Sequence, residues 1–241
     1  MALFAISDLH LSLGAADKPM DIFGPAWANY MDRLTAAWRK VVGPEDTVIM
    51  PGDLGWAMTL GEAEPDFRFL DTLPGEKILG KGNHDYWWTS VSKMCRSLEA
   101  WTIHRISFLH NNAYAREGWA VCGTRGWIGP GEEGFTEADG VVYRRELERL
   151  SCSLAAGREL VASGGARAMM AALHYPPFDT RGAFNEYAEI MAAQGVALCV
   201  YGHLHTGGAR HAMSGEYGGV SYKPISADLL EFVPWRIEPP A

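Results

Sequence analysis

The sequence contains little cysteine, and the spacing of its cysteines points away from a disulfide framework. It has four, Cys95, Cys122, Cys152 and Cys199, and no two of them form a C-x-x-C pair. This pattern suits a reducing compartment. Cys122 and Cys199 lie in apolar runs, where we expect inert core thiols.

The sequence is also short of positive charge. Its 241 residues include 21 Lys and Arg against 29 Asp and Glu, for a formal net charge of −8. Because proteins that bind long nucleic acid depend on clustered basic residues, we expect no such partner. A small anionic substrate remains compatible with this charge, since bound metal ions can dominate a local field.

Long apolar runs are missing as well. No stretch approaches the ~18 consecutive apolar residues of a membrane helix, so we expect no membrane partner. Residues 1–6 are apolar but too short for the core of a signal peptide, and no basic segment precedes them. A cytoplasmic enzyme is the expectation; the sequence leaves the oligomeric state open.

Short apolar runs alternate with segments of helical periodicity. Strands are predicted over residues 3–7, 47–50, 77–79, 106–109, 119–123, 168–173 and 196–201. Helices are predicted over residues 27–41, 65–73, 89–100, from 143 to a stop at 164–165, and over 185–193. Residues 126–140 are predicted to form a surface loop, and residues 216–237 β-structure with a turn at Gly218-Gly219.

This alternation predicts an α/β fold. The later strands have little helix between them, which adds a more antiparallel part. A two-sheet sandwich covered by helices accommodates both. No repeat or linker interrupts the chain, so we expect a single domain over residues 1–241.

Polar motifs follow five of the predicted strands. They are Asp8-Leu9-His10, Gly52-Asp53, Gly82-Asn83-His84-Asp85, His174, and Gly202-His203-Leu204-His205. Ligands of open α/β sheets bind outside the carboxyl ends of strands. Side chains at i and i+2 of an extended chain point to the same side, so Asp8 with His10, and His203 with His205, could each hold one cation. Any one motif alone is more often a turn, a cap or a structural histidine; five in this order favour a two-metal hydrolytic site.

The motif set resembles that of the calcineurin-like metallophosphoesterases. Their pattern of D-x-H, G-D, G-N-H-[DE], H and G-H-x-H is matched in order from Asp8 to His205. Residues 18–24 and 123–127 resemble a less characterised bacterial subgroup, described only as predicted phosphohydrolases. The resemblance implies a two-sheet α/β/β/α sandwich with helices on the outside.

The resemblance also implies roles for the matching residues. It implies two divalent metal ions with separate ligands: Asp8, His10 and His205 on the first, and Asn83, His174 and His203 on the second. Asp53 would bridge the two ions and so take part in catalysis. In the implied reaction a metal-bridging hydroxide attacks phosphorus, while His84 protonates the leaving oxygen as general acid.

The mixed nitrogen and oxygen ligands bear on the choice of metal. They suit transition metals better than Ca²⁺, and we expect Mn²⁺, with Fe, Zn²⁺, Co²⁺ or Ni²⁺ as alternatives. The family's protein phosphatases carry Asp-Arg-Gly after Gly-Asp, whereas Gly52-Asp53 is followed here by Leu54-Gly55-Trp56-Ala57. Protein phosphatase activity is therefore not expected.

Aromatic residues crowd the motif loops and suggest substrate contacts. Trp56, Trp87 and Tyr175 could form an apolar or base-stacking wall for a small, nucleotide-like phosphoester, or pack beneath the loops. Arg125 could contact a phosphate or serve a supporting role. The leading hypothesis is a phosphodiesterase. A phosphomonoesterase or pyrophosphate-bond hydrolase is the alternative, and a non-catalytic metal-binding scaffold is a third.

Overall fold

Two β-sheets form the centre of the molecule. The computed structural model describes residues 1–15, 18 and 20–240, apart from the side chains at 209 and 210. The strands of these residues are, in chain order, β1 (Leu3–Ala5), β2 (Thr47–Met50), β3 (Glu76–Leu79), β4 (Ile106–Phe108), β5 (Tyr114–Arg116), β6 (Trp119–Thr124), β7 (Ala168–Leu173), β8 (Val196–Tyr201), β9 (Gly215–Tyr217), β10 (Val220–Pro224) and β11 (Trp235–Ile237). Residue 19, part of the segment predicted to mark the bacterial subgroup, lies outside the described residues.

Helices connect many of these strands. They are α1 (Tyr30–Val41), α2 (Glu64–Thr72), α3 (Val91–Ala100), α4 (Glu137–Ala162) and α5 (Glu186–Ala193). Short 3₁₀ turns add Met20–Phe23, Pro25–Trp27 and Thr206–His211. None of the helices within the described ranges combines the length and the apolar content that crossing a membrane requires.

The strand order places most strands parallel to their neighbours. The first sheet runs β11-β1-β2-β3-β4, and the second runs β5-β6-β7-β8-β10-β9. Antiparallel pairing is confined to the edges, where β11 joins β1, β5 joins β6 and β9 joins β10. The carboxyl ends of β1, β2 and β3 therefore meet at one edge of the first sheet, and those of β6, β7 and β8 at one edge of the second.

Three apolar layers hold the sheets and helices together. The first layer lies between the sheets and includes Leu3, Ile49, Ile78, Val121, Ala172 and Val200. The second packs α1, α2 and α3 on the outer face of the first sheet, and includes Phe4, Leu34, Trp38, Val48, Phe67 and Met94. The third packs α4 and α5 on the second sheet, and includes Cys122, Leu150, Leu154, Met191 and Cys199. The predicted α/β/β/α sandwich is confirmed.

The long helix α4 differs from its prediction at its start. It begins at Glu137, so the last residues of the predicted loop 126–140 form its first turn. Thr136 and Asp139 form a capping box that satisfies the free N–H groups there. The helix continues through Gly157, where a Cβ would lie 2.3 Å from the Cys122 sulfur. Glycine at this position lets α4 lie directly on β6.

Three further details depart from the sequence expectations. Strand β5 was not predicted. Helix α1 starts only at Tyr30, because Asn29 adopts a left-handed conformation (φ 50°) between the helix and the 3₁₀ turn at Pro25–Trp27. The tail 216–237 is β-structure only in part, since residues 225–234 form an irregular connection between β10 and β11.

Candidate metal centre

The five polar motifs all lie where the two sheets meet at the carboxyl ends of their strands. Ser7 and Ser226 form a bridge there, with the Ser7 N–H donating to the Ile225 carbonyl at 2.9 Å. Gly202 allows this approach, since a Cβ at that position would lie 2.3 Å from an Asp8 carboxylate oxygen. Loops from both sheets therefore share one small volume.

Strained backbone directs several of these side chains into that volume. Asp8, His10, Asp53 and His203 have φ values of 59°, 47°, 51° and 70°. Such conformations cost a non-glycine residue on the order of 1–3 kcal/mol and persist only where surrounding contacts impose them. Here the loops brace each other, because the Asp8 N–H donates to Gly52 and the His10 N–H to the Asp53 carbonyl, both at 3.1 Å.

One group of side chains forms around Asp8, His10 and His205, which we call the first cluster. Their ligand atoms all lie within 4.8 Å of one another. The Nε2 atoms of His10 and His205 are 3.2 Å apart. Two ring nitrogens facing each other beside a buried carboxylate form a suitable pocket for a cation.

A second cluster forms around Asn83, His174 and His203. The Asn83 side-chain oxygen lies 2.7 Å from His174 Nε2 and 2.9 Å from His203 Nδ1. His174 also belongs to a group with Asp8 and Asp53 whose ligand atoms lie within 4.8 Å of one another. An amide oxygen and two imidazole nitrogens thus converge on one point.

Asp53 lies between the two clusters. Its Oδ2 is 3.8 Å from His10 Nε2 and 3.6 Å from His174 Nε2. Its other oxygen accepts a hydrogen bond from the His84 backbone N–H at 2.8 Å. The carboxylate is therefore fixed in an orientation in which one oxygen faces both clusters.

The histidines of the second motif pair do not act together, contrary to the extended-chain argument. His205 joins the first cluster, whereas His203 joins the second. The chain is not extended here, because the backbone at His203 is left-handed, and the i, i+2 argument holds only for an extended chain. The assignment implied by the family resemblance, with one histidine on each ion, agrees with this arrangement.

The chemistry of these groups fits divalent cations. Burial, and then the charge of Asp8, raises the pKa of Asp53 well above its usual range. Burial, and then neighbouring histidines, lowers the pKa of His10 and His174 well below theirs. The Nδ1 atoms of both rings are buried without a hydrogen-bond partner among the described residues. Neutral imidazoles and crowded carboxylates are the ligand forms that metal ions bind and stabilise.

Two carboxylates that sequence reasoning left without a role support the clusters. Asp85 accepts hydrogen bonds from the backbone N–H groups of Gly82, Asp53 and Leu54 at 2.6 to 2.9 Å. Asp228 accepts from His205 Nδ1 at 3.0 Å. Burial alone would lower the pKa of His205, but this hydrogen bond, with the charge of Asp8, raises it.

Only one of these two supporting carboxylates could have been predicted from the sequence. Asp85 ends the motif that contains Asn83 and His84, so its position could have suggested a supporting role. Asp228 belongs to no motif and lies in the irregular connection after β10. Only the fold brings it to His205.

His84 lies beside the first cluster. Its ring centroid is 5.6 Å from that of His10 and 4.5 Å from that of Trp56. A cavity of about 240 Å³ opens next to His10, His84 and His205, and its aromatic wall includes Trp27 and Trp56.

A second cavity, of about 110 Å³, lies beside the second cluster. Tyr175 and Trp127 line it together with His203. The Tyr175 ring packs against His203 in a tilted arrangement, with 4.1 Å between centroids and an interplanar angle of 34°. The two clusters therefore each adjoin an apolar cavity.

The four predicted substrate contacts take different positions. Trp56 lines the larger cavity and stacks on His10, and Tyr175 lines the smaller one. Arg125 lies over the Trp127 ring at 4.2 Å and borders a separate basic cavity.

The prediction that Trp87 contacts the substrate is wrong. Its side chain is 1% exposed, packs edge-on against Phe67 and donates its indole N–H to Asp85. It therefore supports the motif loop from beneath and has no surface that a substrate could reach.

Comparison with known proteins identifies the family. A family model described as calcineurin-like phosphoesterase matches residues 1–207. A search of curated proteins finds no match. Among solved structures the chain is similar to a phosphopantetheinyl hydrolase from Mycobacterium tuberculosis, with 16% identity, 99% of this chain and 96% of that chain covered, and a TM-score of 0.51. It is also similar to a protein of unknown function from Aquifex aeolicus, with 17% identity, 98% and 95% coverage, and a TM-score of 0.46.

Structural likeness at these identities shows a shared fold alone. The family match is stronger, because it spans all five motifs and both sides of the two clusters. The converging ligand atoms around Asp8 and Asp53 support a metal-dependent enzyme with a dinuclear divalent centre. The chain belongs to the calcineurin-like phosphoesterase family and is a phosphoester hydrolase.

Proposed function

We propose that this protein is a dinuclear metal-dependent phosphohydrolase that cleaves a small phosphodiester. The position of the Asp53 carboxylate carries the proposal. Its Oδ2 faces His10 on one side and His174 on the other, at 3.8 and 3.6 Å. A carboxylate so placed is suited to bridge two cations.

The ligands of the two ions follow from the clusters. Asp8, His10 and His205 would hold one ion, Asn83, His174 and His203 the other, and Asp53 both. We propose Mn²⁺ as the native metal, on the mixture of carboxylate, amide and imidazole donors. When bound, such a pair of ions binds phosphate oxygens and activates water as the nucleophile.

Residues of the chain determine the net charge of the metal site and supply the proton donor. Asp8 and Asp53 contribute roughly −2 against roughly +4 from two divalent ions, which leaves net positive charge for a phosphate. His84 borders the larger cavity beside the first cluster. From there its imidazole can donate a proton to the leaving oxygen, help that is typically worth about 10²- to 10⁴-fold in rate.

The two apolar cavities favour a diester over a monoester. A phosphodiester carries two organic substituents, and each cluster adjoins one cavity. The leaving group would occupy the cavity that contains His84 and Trp56. The second substituent would lie against Tyr175, where a planar group such as a nucleobase could stack.

The remaining proposals concern partners and compartment. We propose a small substrate as the partner, with neither long nucleic acid nor a membrane. The four cysteines are free thiols, two of them buried. Unpaired cysteines suit the reducing cytoplasm, where we place the enzyme.

A comparison of two aryl phosphates tests the function. Metal-stripped protein, with Mn²⁺ added back, is assayed on bis-p-nitrophenyl phosphate and on p-nitrophenyl phosphate. We expect Mn²⁺-dependent turnover that is faster on the diester. Turnover of the monoester alone would replace the proposal with a phosphomonoesterase. No turnover of either by metal-loaded protein would favour a pyrophosphate-bond hydrolase first, and then a binding scaffold.

A further inference from the structure

A basic cavity of about 380 Å³ has no part in the roles described so far. Six of the residues that line it offer cationic or hydroxyl groups: Lys81, Thr89, Ser90, Arg125, Arg145 and Arg149. Acidic side chains are absent from its lining within the described ranges. The cavity is therefore polar and positive, unlike the two apolar cavities.

The loops that form this cavity also carry residues of the second cluster. Lys81 directly precedes Gly82-Asn83 in the chain. The Arg125 carbonyl accepts hydrogen bonds from the backbone N–H groups of His174 and Tyr175, at 3.1 and 2.8 Å. A group bound in the cavity would thus lie close to the loops that position Asn83 and His174.

One buried glutamate organises the cations without neutralising them all. Glu146 is 1% exposed and lies 2.6 Å from Arg149 and 3.4 Å from Arg125. Lys81 and Arg145 make no ion pair with any described residue. A single carboxylate among four cations leaves an excess of positive charge, in a chain whose net charge is −8.

Two side chains that line the cavity carry buried donors with no acceptor among the described residues. The Arg125 side chain is nine-tenths buried, and its Nε has no hydrogen-bond partner among the described residues. The Thr89 hydroxyl is also buried and unpartnered there. Ser90 is the N-cap of α3, and its hydroxyl makes no cap bond and meets only the Ser92 hydroxyl, at 3.5 Å. Unpaired buried donors are costly, so two lining side chains carry hydrogen-bonding capacity that no described residue uses.

We propose that this cavity binds a phosphate-sized dianion, held by Arg125, Arg149, Arg145 and Lys81. The anion is either a second phosphate group of the substrate or free inorganic phosphate. Only the first of these sources rests on the proposed function.

Sulfate binding tests the site itself. Sulfate has the shape and charge of the ligand and is not hydrolysed. Isothermal titration calorimetry of the full-length, Mn²⁺-loaded protein would compare the natural chain with Arg145→Ala and with the double variant Arg145→Ala/Arg149→Ala. We expect the double variant to bind sulfate about tenfold or more weakly, the effect of losing charge-assisted contacts.

Arg144→Ala is the matched control, because Arg144 is exposed on the same helix and does not line the cavity. Its sulfate affinity should equal that of the natural chain. Arg145 is itself exposed and unpaired, so the single variant keeps the test valid if the double variant folds poorly. Equal sulfate affinity in all four proteins would overturn the proposal.

A pair of substrates identifies the source of the anion. Methyl p-nitrophenyl phosphate is compared with an analogue whose alkyl arm carries a terminal phosphate, as a ratio of kcat/KM. A ratio that favours the analogue in the natural chain and falls in the double variant assigns the site to the substrate. A ratio unchanged by the double variant, with sulfate affinity lost, assigns it to free phosphate. Failure to turn over either ester would contradict the proposed function and leave the sulfate result intact.

Discussion

The carboxylate of Asp228 accepts a hydrogen bond from Nδ1 of His205 at 3.0 Å. This contact fixes the tautomer of the ring, so that Nε2 carries the lone pair that faces His10. The Thr206 N–H holds the other Asp228 oxygen at 2.7 Å. A residue outside every recognisable motif thus orients one of the predicted metal ligands.

Replacing Asp228 should weaken the first metal site. In Asp228→Asn we expect metal affinity to fall by about 10- to 100-fold, the usual effect of losing a carboxylate that orients a ligating histidine. The measurement is a Mn²⁺ titration of metal-stripped protein. Asp32→Asn, at an exposed position on α1, is the control. An affinity equal to that of the control would show that the contact does not orient a ligand.

His84 should matter for turnover and not for metal binding. Its side chain lies beside the first cluster, next to Trp56, and is not among the converging ligand atoms. His84→Ala should keep its metal and lose turnover by about 10²- to 10⁴-fold on esters with poor leaving groups. The test measures hydrolysis rates over a series of aryl leaving groups, and metal content is determined in parallel.

The leaving-group dependence separates acid catalysis from a structural defect. Good leaving groups need little protonation, so the loss should shrink as the leaving group becomes more acidic. An equal loss across the whole series would rule out the role of His84 as general acid.

Asp66 should make stability depend on pH, away from the metal centre. Its Oδ1 accepts from the Leu13 N–H at 3.0 Å, whereas Oδ2 is buried without a partner among the described residues. Burial raises the pKa of this carboxyl to about 6 from its ordinary 3.8. The folded state therefore binds the proton more tightly than the unfolded state. The resulting stabilisation is complete below pH 3.8 and lost as the pH rises through about 6.

The variant Asp66→Asn removes this titration. Its stability relative to the natural chain should rise by about 1–3 kcal/mol between about pH 5 and pH 7.5. Urea unfolding at both pH values measures the difference, again with Asp32→Asn as the control. A difference between variant and natural chain that does not change with pH would contradict a protonated Asp66.

The sequence predicted the fold and most of the site for a physical reason. Parallel strands bring their carboxyl ends to one edge, so motifs that follow successive strands must meet there. Asp8, His10, Asp53 and Asn83 lie together because of this rule, and His174 joins them because the corresponding edge of the second sheet meets the first at Ser7 and Ser226. The order of the motifs along the chain was enough, without any knowledge of the loop conformations.

Loop conformation was where sequence reasoning failed. His203 and His205 face different clusters, and the backbone at His203 is left-handed (φ 70°), so the i, i+2 argument for an extended chain does not apply there. Trp87 belongs to the same loop as His84, yet it points into the core. Residue type alone does not tell which face of a loop an aromatic side chain takes.

Contacts between segments that are far apart along the chain could not be predicted from the sequence either. Asp228 reaches His205 only because β10 lies beside β8 in the second sheet. The basic cavity is lined both by Arg149 of α4, which packs on the second sheet, and by Lys81, which follows β3 of the first sheet. No periodicity or motif links these positions along the chain.

Metal content of the natural chain and of Asp53→Asn is the most direct test of the central claim, that Asp53 joins two metal sites. Elemental analysis after reconstitution with Mn²⁺ should give two ions per natural chain and the loss of most of that metal in Asp53→Asn. Near-normal metal content in the variant, or a single ion in the natural chain, would contradict the bridging role and the dinuclear centre.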